Sequence, residues 1–401
     1  MKYGQLRDHF RGVGAKRLTA VDAEPNSSNQ HEIGTTAAMR REFLGEGPKS
    51  TFPAVYIWLG RDQDAVTVHS WATYYDAREH QPDRAPEWRL YYPSNAVTET
   101  MNEGDALFLA LDTTGSLYFI IAPPRSTSED QLSWLFGVEP RKRFEVLGFR
   151  DEGPELDFAA HFILDELGIE FEEPDASSLD TIIEPLGTTF PPTATFSKLA
   201  RDSLQNVSPL DDPDAALLTW LSHEEALFRR LERRIVADRL ETGFVDTEGA
   251  DVDGFIRFSL SVQNRRKSRM GHSLEHHLEA VFIAHNVRYV RGAVTESRQR
   301  PDFLFPSLED YEAAPLGGAP GLHMLGAKST CKDRWRQVLV EAAKIPRKHL
   351  LTLEPSISSA QTNQMAGHDL QLVVPQPIHA TYTPVQRHWL WTLDDFIGEV
   401  Q

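Results

Sequence analysis

The sequence of 401 residues contains a single cysteine, Cys331. That excludes any intrachain disulfide and leads us to expect a reducing, cytoplasmic setting. Flanked by Thr330 and Lys332, Cys331 is expected to pack at a strand end rather than act as a nucleophile. No apolar run approaches the ~18 residues that cross a bilayer, so no membrane partner is expected. The opening Met1-Lys2-Tyr3-Gly4-Gln5 lacks the apolar core of a secretory signal. Internal repeats and low-complexity segments are also missing. Positive charge is scarce: 41 Lys and Arg against 59 Asp and Glu give a net charge of −18. Taken whole, that balance argues against nucleic acid, whose phosphates demand basic surface.

The distribution of charge reverses this reading. Acids crowd the stretch from Asp151 to Glu184, among them Asp157, Asp165, Glu166, Glu170, Glu172 and Glu173, with no Lys or Arg between them. Basic residues gather elsewhere. Arg265, Arg266, Lys267 and Arg269 form one knot, and Lys328, Lys332, Arg334, Arg336, Lys344, Arg347 and Lys348 face only Asp333 and Glu341 as acids. Two local basic surfaces of this kind can steer phosphates despite an acidic total.

The length favours two domains over one core. Residues 1–150 read as β-rich. Strands are expected over 52–59 and 65–75, and a hairpin over 106–122 turns at Asp112-Thr113-Thr114-Gly115. Short helices are expected at 35–44 and 129–136. Many short strands with few long helices suggest a barrel or pseudobarrel. The proline-punctuated, acidic residues 151–195 read as a partly structured linker. Residues 196–401 read as an α/β domain. Its expected helices are 215–240, 273–285 (capped by Ser273) and 332–345, interleaved with strands at 301–305, 322–328 and 370–374.

Within that domain, Pro301-Asp302 opens the apolar run Phe303-Leu304-Phe305, and Lys328 closes the run Met324-Leu325-Gly326-Ala327. On a helix over 332–345, Trp335, Val338, Leu339, Ala342 and Ile345 form an apolar stripe, and Arg334 and Glu341 share one flank. Acids at 302 and 341 beside Lys328 supply oxygen ligands for Mg²⁺ and a fixed positive charge near a phosphodiester. This layout resembles that of the PD-(D/E)xK nucleases.

Longer runs narrow the resemblance. Gln263-Asn264-Arg265-Arg266-Lys267-Ser268-Arg269 with Ser273-Leu274-Glu275, Pro301 to Ser307, and Lys328-Ser329-Thr330-Cys331-Lys332-Asp333-Arg334-Trp335-Arg336-Gln337-Val338-Leu339 closely resemble the EcoRII-type type II restriction endonucleases. The likeness is strong over about 210–400 and thinner over 1–150. It implies a C-terminal restriction-endonuclease-like catalytic domain and an N-terminal pseudobarrel DNA-binding (effector) domain. The common motif places an acid two residues before the lysine, where this chain has Gly326; the EcoRII branch uses an acid further along, matching Glu341. Catalytic residues implied are Asp302, Lys328, Glu341, Glu275 and Tyr311, with Asp302, Glu341 and Glu275 as metal ligands. Glu279, one turn beyond Glu275, is equally able to reach in, and periodicity cannot separate the two.

Lys332, Asp333 and Arg334 resemble the segment with which the family reads G·C pairs: Lys or Arg donates to guanine and Asp accepts from cytosine. His31, Arg84, Glu87 and Arg89 resemble effector-domain DNA contacts, although Trp88 stands where a basic residue is expected and Thr36 where the family carries an aromatic. The resemblance further implies duplex DNA cut with Mg²⁺ at a short palindrome (CCWGG), homodimerisation through the catalytic domain, and a partner cytosine DNA methyltransferase. It also raises an acidic linker able to compete with DNA for the basic face. The stretch from Gly321 to Ser329 misses the phosphate-loop spacing by one residue, Ala327. His276, His277 and His285 lack a metal-ligand spacing and read as surface or cleft histidines. The rival readings are a DNA-binding regulator that does not cut and a repair nuclease without sequence preference.

Overall fold

The computed structural model describes residues 4–23, 31–61, 65–81, 83–149, 156–169, 176–246 and 249–401, apart from the side chains of Ala176, Asp246, Lys267 and Asp333. The chain divides into two compact units: residues 2–170 with 355–360, and residues 171–354 with 361–401. No helix among the described residues is long and apolar enough to cross a membrane.

The first unit is built on β1 (Phe10–Arg17), β2 (Glu32–Gly34), β3 (Ser50–Trp58), β4 (Val66–Asp76), β5 (Trp88–Tyr91), β6 (Ala106–Asp112), β7 (Leu117–Ala122) and β8 (Glu145–Gly148). They form one sheet in the order β2-β5-β4-β3-β7-β6-β1-β8. Every pairing is antiparallel except β3 with β7. The β6–β7 hairpin turns where Asp112 Oδ1 accepts from Gly115 N and Ser116 N, each at 2.7 Å. Tyr56, Tyr74, Leu107, Leu109 and Phe119 centre the core on one face. The helix Thr127–Phe136 is capped by Ser126 and ends in left-handed Gly137. It buries Leu132, Leu135 and Phe136.

In the second unit β9 (Val245–Asp246) and β10 (Gly249–Ala250) form a small two-stranded ribbon, while β11 (Val290–Arg291), β12 (Phe303–Phe305), β13 (His323–Lys328), β14 (Lys348–Thr352) and β15 (Leu370–Val373) lie side by side in that order. The pairs β11–β12 and β12–β13 are antiparallel, and β13–β14 and β14–β15 are parallel. This is a mixed α/β sheet. Strands β14 and β15 are buried along their whole length, as parallel strands covered on both faces must be. The helices Pro213–Thr242 and Val252–Ala284 bury Leu227, Leu231, Leu274, Leu278 and Phe282. Phe282 meets Phe303 and Phe305 edge-on, at 5.2 and 5.3 Å between ring centres.

Three local expectations are corrected. Ser273 does not cap a helix: the helix starts at Val252, capped by Asp251, and runs through Ser273, which is buried in its interior. Lys and Arg are good helix formers, so the basic knot continues the helix. Residues 332–345 are not one helix. A 3₁₀ turn Lys332–Arg334 leads into a short helix Trp335–Val338, and Ala342 takes a left-handed φ of 45°. Arg334 and Glu341 therefore do not share a helical flank. Within the acidic stretch, residues 151–155 and 170–175 lie outside the described residues, while Phe158–Glu166 and Ala176–Ile183 are helical.

Candidate active site

Antiparallel pairing of Phe303 with Leu325 brings Asp302 alongside the end of β13. There its Oδ2 accepts from Ala327 N at 2.7 Å and from Lys328 Nζ at 2.8 Å. The apolar runs flanking both residues dictate this meeting. Phe303, Leu304, Phe305, Met324 and Leu325 are all fully buried, so the strands are fixed and the polar residues at their ends emerge together.

Glu341 completes the group from a turn. One carboxylate oxygen, Oε2, is buried without a hydrogen-bond partner. Burial pushes the carboxyl up to about 7; the Lys328 and Lys348 ammoniums pull it down, while negative Asp302 raises it further. Lys348 lies beneath, its Nζ donating to the carbonyls of Glu341 and Ala342 at 2.6 and 2.7 Å. Burial lowers this lysine to about 8.

Gly326 explains why no acid stands two residues before Lys328. A Cβ there would lie 2.9 Å from Val338 Cγ2 and 3.2 Å from its Cγ1. Val338 is itself fully buried, so it packs where a side chain at 326 would begin. The candidate acid Glu341 stands on the turn beyond, and its N–H donates to the carbonyl of the same Val338 at 3.2 Å.

Glu275 does not join this group. Arg291 on β11 binds its Oε2 at 2.7 and 3.3 Å and binds Glu279 Oε2 at 3.0 Å. Glu279 also accepts from Tyr289 Oη at 3.1 Å, and His276 Nδ1 lies 2.9 Å from Arg291. One guanidinium thus holds both candidate acids. Tyr311 is buried; its hydroxyl donates to Glu296 and accepts from Lys344 N at 3.3 Å. Burial, then the bond to Glu296, pushes it up to about 12.

The other two candidate histidines have partners within the fold. His277 is not a surface or cleft residue, being fully buried against Glu224 at 2.8 Å. His285 Nε2 lies 2.8 Å from the Pro209 carbonyl. Cys331 is buried, and burial raises its thiol well above the ordinary range.

Among the expected DNA contacts, Lys332 to Arg334 form the 3₁₀ turn just beyond β13, with Arg334 exposed and its N–H bonded to Cys331 O at 2.7 Å. The Asp333 side chain lies outside the described set. In the first unit, Arg89 is clasped by Glu32 at 2.6 Å and Glu87 at 2.5 Å. Its hydrogen bond holds the Glu87 carboxyl below the usual range. Arg84 reaches Gln81 Oε1 at 2.9 Å, and His31 packs edge-on to Tyr92 with ring centres 5.5 Å apart. Trp88 stacks on Tyr74 at 4.7 Å, and Thr36 caps a short helix by accepting from Met39 N at 3.2 Å.

The family described as EcoRII C terminal matches residues 228–397. This segment resembles an EcoRII C-terminal domain. It carries Asp302, Lys328, Glu341, Glu275 and the Lys332–Arg334 turn. The type II restriction enzyme EcoRII of Escherichia coli is 44% identical over 190 residues, 47% of this chain and 46% of that enzyme. The chain therefore spans about half the length of the curated relative it matches. Two solved structures are also similar. A metal-depleted Ecl18kI in complex with uncleaved, modified DNA aligns at a TM-score of 0.43 and 18% identity, over 56% of this chain and 83% of that one. A restriction endonuclease PspGI–substrate DNA complex aligns at 0.43 and 14%, over 53% and 92%.

Around the EcoRII C-terminal motif, sequence reasoning missed Arg291 and Lys348. Both are ordinary basic residues in sequence. Only the β11–β12 pairing and the start of β14 put them against the acids.

Proposed function

We propose that this chain is a type II site-specific deoxyribonuclease of a restriction–modification system, hydrolysing duplex DNA at a short palindrome, with CCWGG as its sequence. The observation that carries this reading is the Asp302–Lys328 pair beside the buried, unpartnered oxygen of Glu341, inside a segment that resembles an EcoRII C-terminal domain.

The donor set fits a hard divalent cation. Asp302 and Glu341 are carboxylates with mutual repulsion, and an unpaired buried oxygen is costly unless something positive faces it. Among the described residues no cluster of three or more His, Cys, Asp or Glu gathers. Two carboxylates suit Mg²⁺, which keeps several waters and takes phosphate oxygens from its substrate. Bound there, Mg²⁺ would supply Lewis-acid stabilisation of the charge developing on phosphorus. Lys328 holds Asp302 in place and presents a fixed positive charge toward the phosphate. Glu341 must be deprotonated to serve. Glu275 can contribute as a third acid once Arg291 releases it.

In this reading Lys332, Asp333 and Arg334, just past the strand end that carries Lys328, read G·C pairs while the scissile phosphate meets the acids. Two such sites in a homodimer match a two-fold palindrome cut on both strands. In the same reading the eight-stranded sheet of residues 1–150 is the pseudobarrel effector domain. It binds a further DNA copy through His31, Arg84, Glu87 and Arg89 once Arg89 exchanges carboxylates for phosphate. Residues 151–195 form the acidic connection to a catalytic domain over 196–401. The enzyme acts in the cytoplasm beside a cytosine methyltransferase that protects host sites.

The test is digestion of one-site and multi-site plasmids with and without Mg²⁺ and cytosine methylation. Discrete fragments from unmethylated CCWGG plasmids, lost on methylation or chelation, are expected. Mg²⁺-dependent degradation without discrete fragments would identify a non-specific nuclease. Tight cognate binding without any cleavage would identify a regulator.

A further inference from the structure

The turn that presents Glu341 lacks a helix to hold it. After Val338 the regular hydrogen bonding stops, and Ala342, fully buried, sits in the left-handed region at φ 45°. A non-glycine residue persists there only where its surroundings dictate it. Two ties do so. From β14, Lys348 is buried and donates to the consecutive carbonyls of Glu341 and Ala342, at 2.6 and 2.7 Å. From the other side, Tyr311 accepts from Lys344 N at 3.3 Å, while Lys344 Nζ donates back to the carbonyls of Tyr311 and Glu312 at 3.1 and 2.7 Å.

We propose that Lys348, assisted by Tyr311, is the positioning residue of the metal-binding acid. Its ammonium replaces the missing helical donors and holds the Glu341 carboxylate toward Asp302. This rests on the reading of Glu341 as a metal ligand. Burying an ammonium for packing alone is unfavourable when an apolar residue of similar size would fill the space. A buried lysine with two of its donors spent on the backbone at Glu341 and Ala342 points to precision at the acid. Tyr311 accordingly acts through the turn rather than on the reacting phosphate.

The experiment measures Mn²⁺ binding to the full chain by electron paramagnetic resonance, for the wild type, Lys348→Met, Tyr311→Phe and Glu341→Gln. Circular dichroism and thermal melting report the fold. Glu341→Gln is expected to lose the tight site. Lys348→Met is expected to bind Mn²⁺ about 10- to 100-fold more weakly, the range typical for removing a partner that orients a ligand. Its cleavage rate should recover as Mg²⁺ is raised, whereas that of Glu341→Gln should not. A folded Lys348→Met with wild-type Mn²⁺ affinity overturns the proposal. Should Lys348→Met fail to fold, Tyr311→Phe carries the test, with weakened Mn²⁺ binding expected and wild-type affinity overturning it. Wild-type binding by Glu341→Gln overturns the reading of Glu341 itself, and the inference with it.

Discussion

Gly326 decides where the second acid of this site can stand. With Val338 2.9 Å from any Cβ at 326, the usual acid of the motif cannot enter without displacing a buried side chain. Gly326→Asp is therefore expected to destabilise the protein by about 1–3 kcal/mol through overpacking. It should also fail to restore cleavage to Glu341→Gln. Thermal melting and plasmid digestion check both points; a stable, active Gly326→Asp/Glu341→Gln double variant would show that the acid's place is free. At this scale the sequence was informative where chemistry and strand ends coincide. Asp302, Lys328 and Glu341 could all be named from the motif, and the structure brings them together. Arg291 and Lys348 could not be named, because their partners are set by strand pairing and not by spacing.

Strand β14 shows what pattern reading loses among the elements. Its sequence Lys348-His349-Leu350-Leu351-Thr352 begins with two polar residues, so it carries no strand signal, yet every residue in it is buried. Lys348 reaches the Glu341 turn, and His349 packs near Trp391 and Phe396, at 5.4 and 5.2 Å between ring centres. Burial drives His349 down to about 3. The native state thus keeps this ring neutral, while the unfolded chain protonates it below its ordinary value of about 6.5. Stability is therefore present above pH ~6.5 and lost as pH falls toward 3. His349→Leu should flatten this loss: between about pH 7 and pH 5 its melting temperature should fall less than that of the wild type. Identical slopes would place the acid sensitivity elsewhere. The strands around Asp302 and Lys328 and the hairpin at 106–122 were readable because apolar runs and turn residues agree there. The apolar stripe over 332–345 suits a helix, yet a 3₁₀ turn, a short helix and an irregular turn bury Trp335, Val338, Ala342 and Ile345 equally well.

For the whole molecule, the division near residue 170 matters more than net charge. The helix Ala176–Ile183 sits in the second unit, where Leu179 and Ile183 share a core with Phe196, Leu227, Phe228 and Leu231. Asp180 also pairs with Arg230. A fragment beginning near Thr195 would strip away Leu179 and Ile183, each contributing roughly 1.5–3 kcal/mol by burial. One beginning at Ala176 should melt at a higher temperature, and the two melts decide the boundary. If the N-terminal unit and acidic connection restrain the catalytic domain, the Ala176 fragment should also cut single-site DNA faster than the full chain. If the N-terminal unit binds DNA as proposed, that DNA can relieve such restraint only by preferring the open state. A folded, dimeric fragment no faster than the full chain would exclude restraint.

The most direct test of the central claim compares purified wild type and Asp302→Ala on an unmethylated CCWGG plasmid with Mg²⁺, alongside a cognate-duplex binding assay. The account predicts site-specific double-strand cleavage by the wild type and none by Asp302→Ala, with cognate binding retained. Cleavage by Asp302→Ala at the wild-type rate would contradict it.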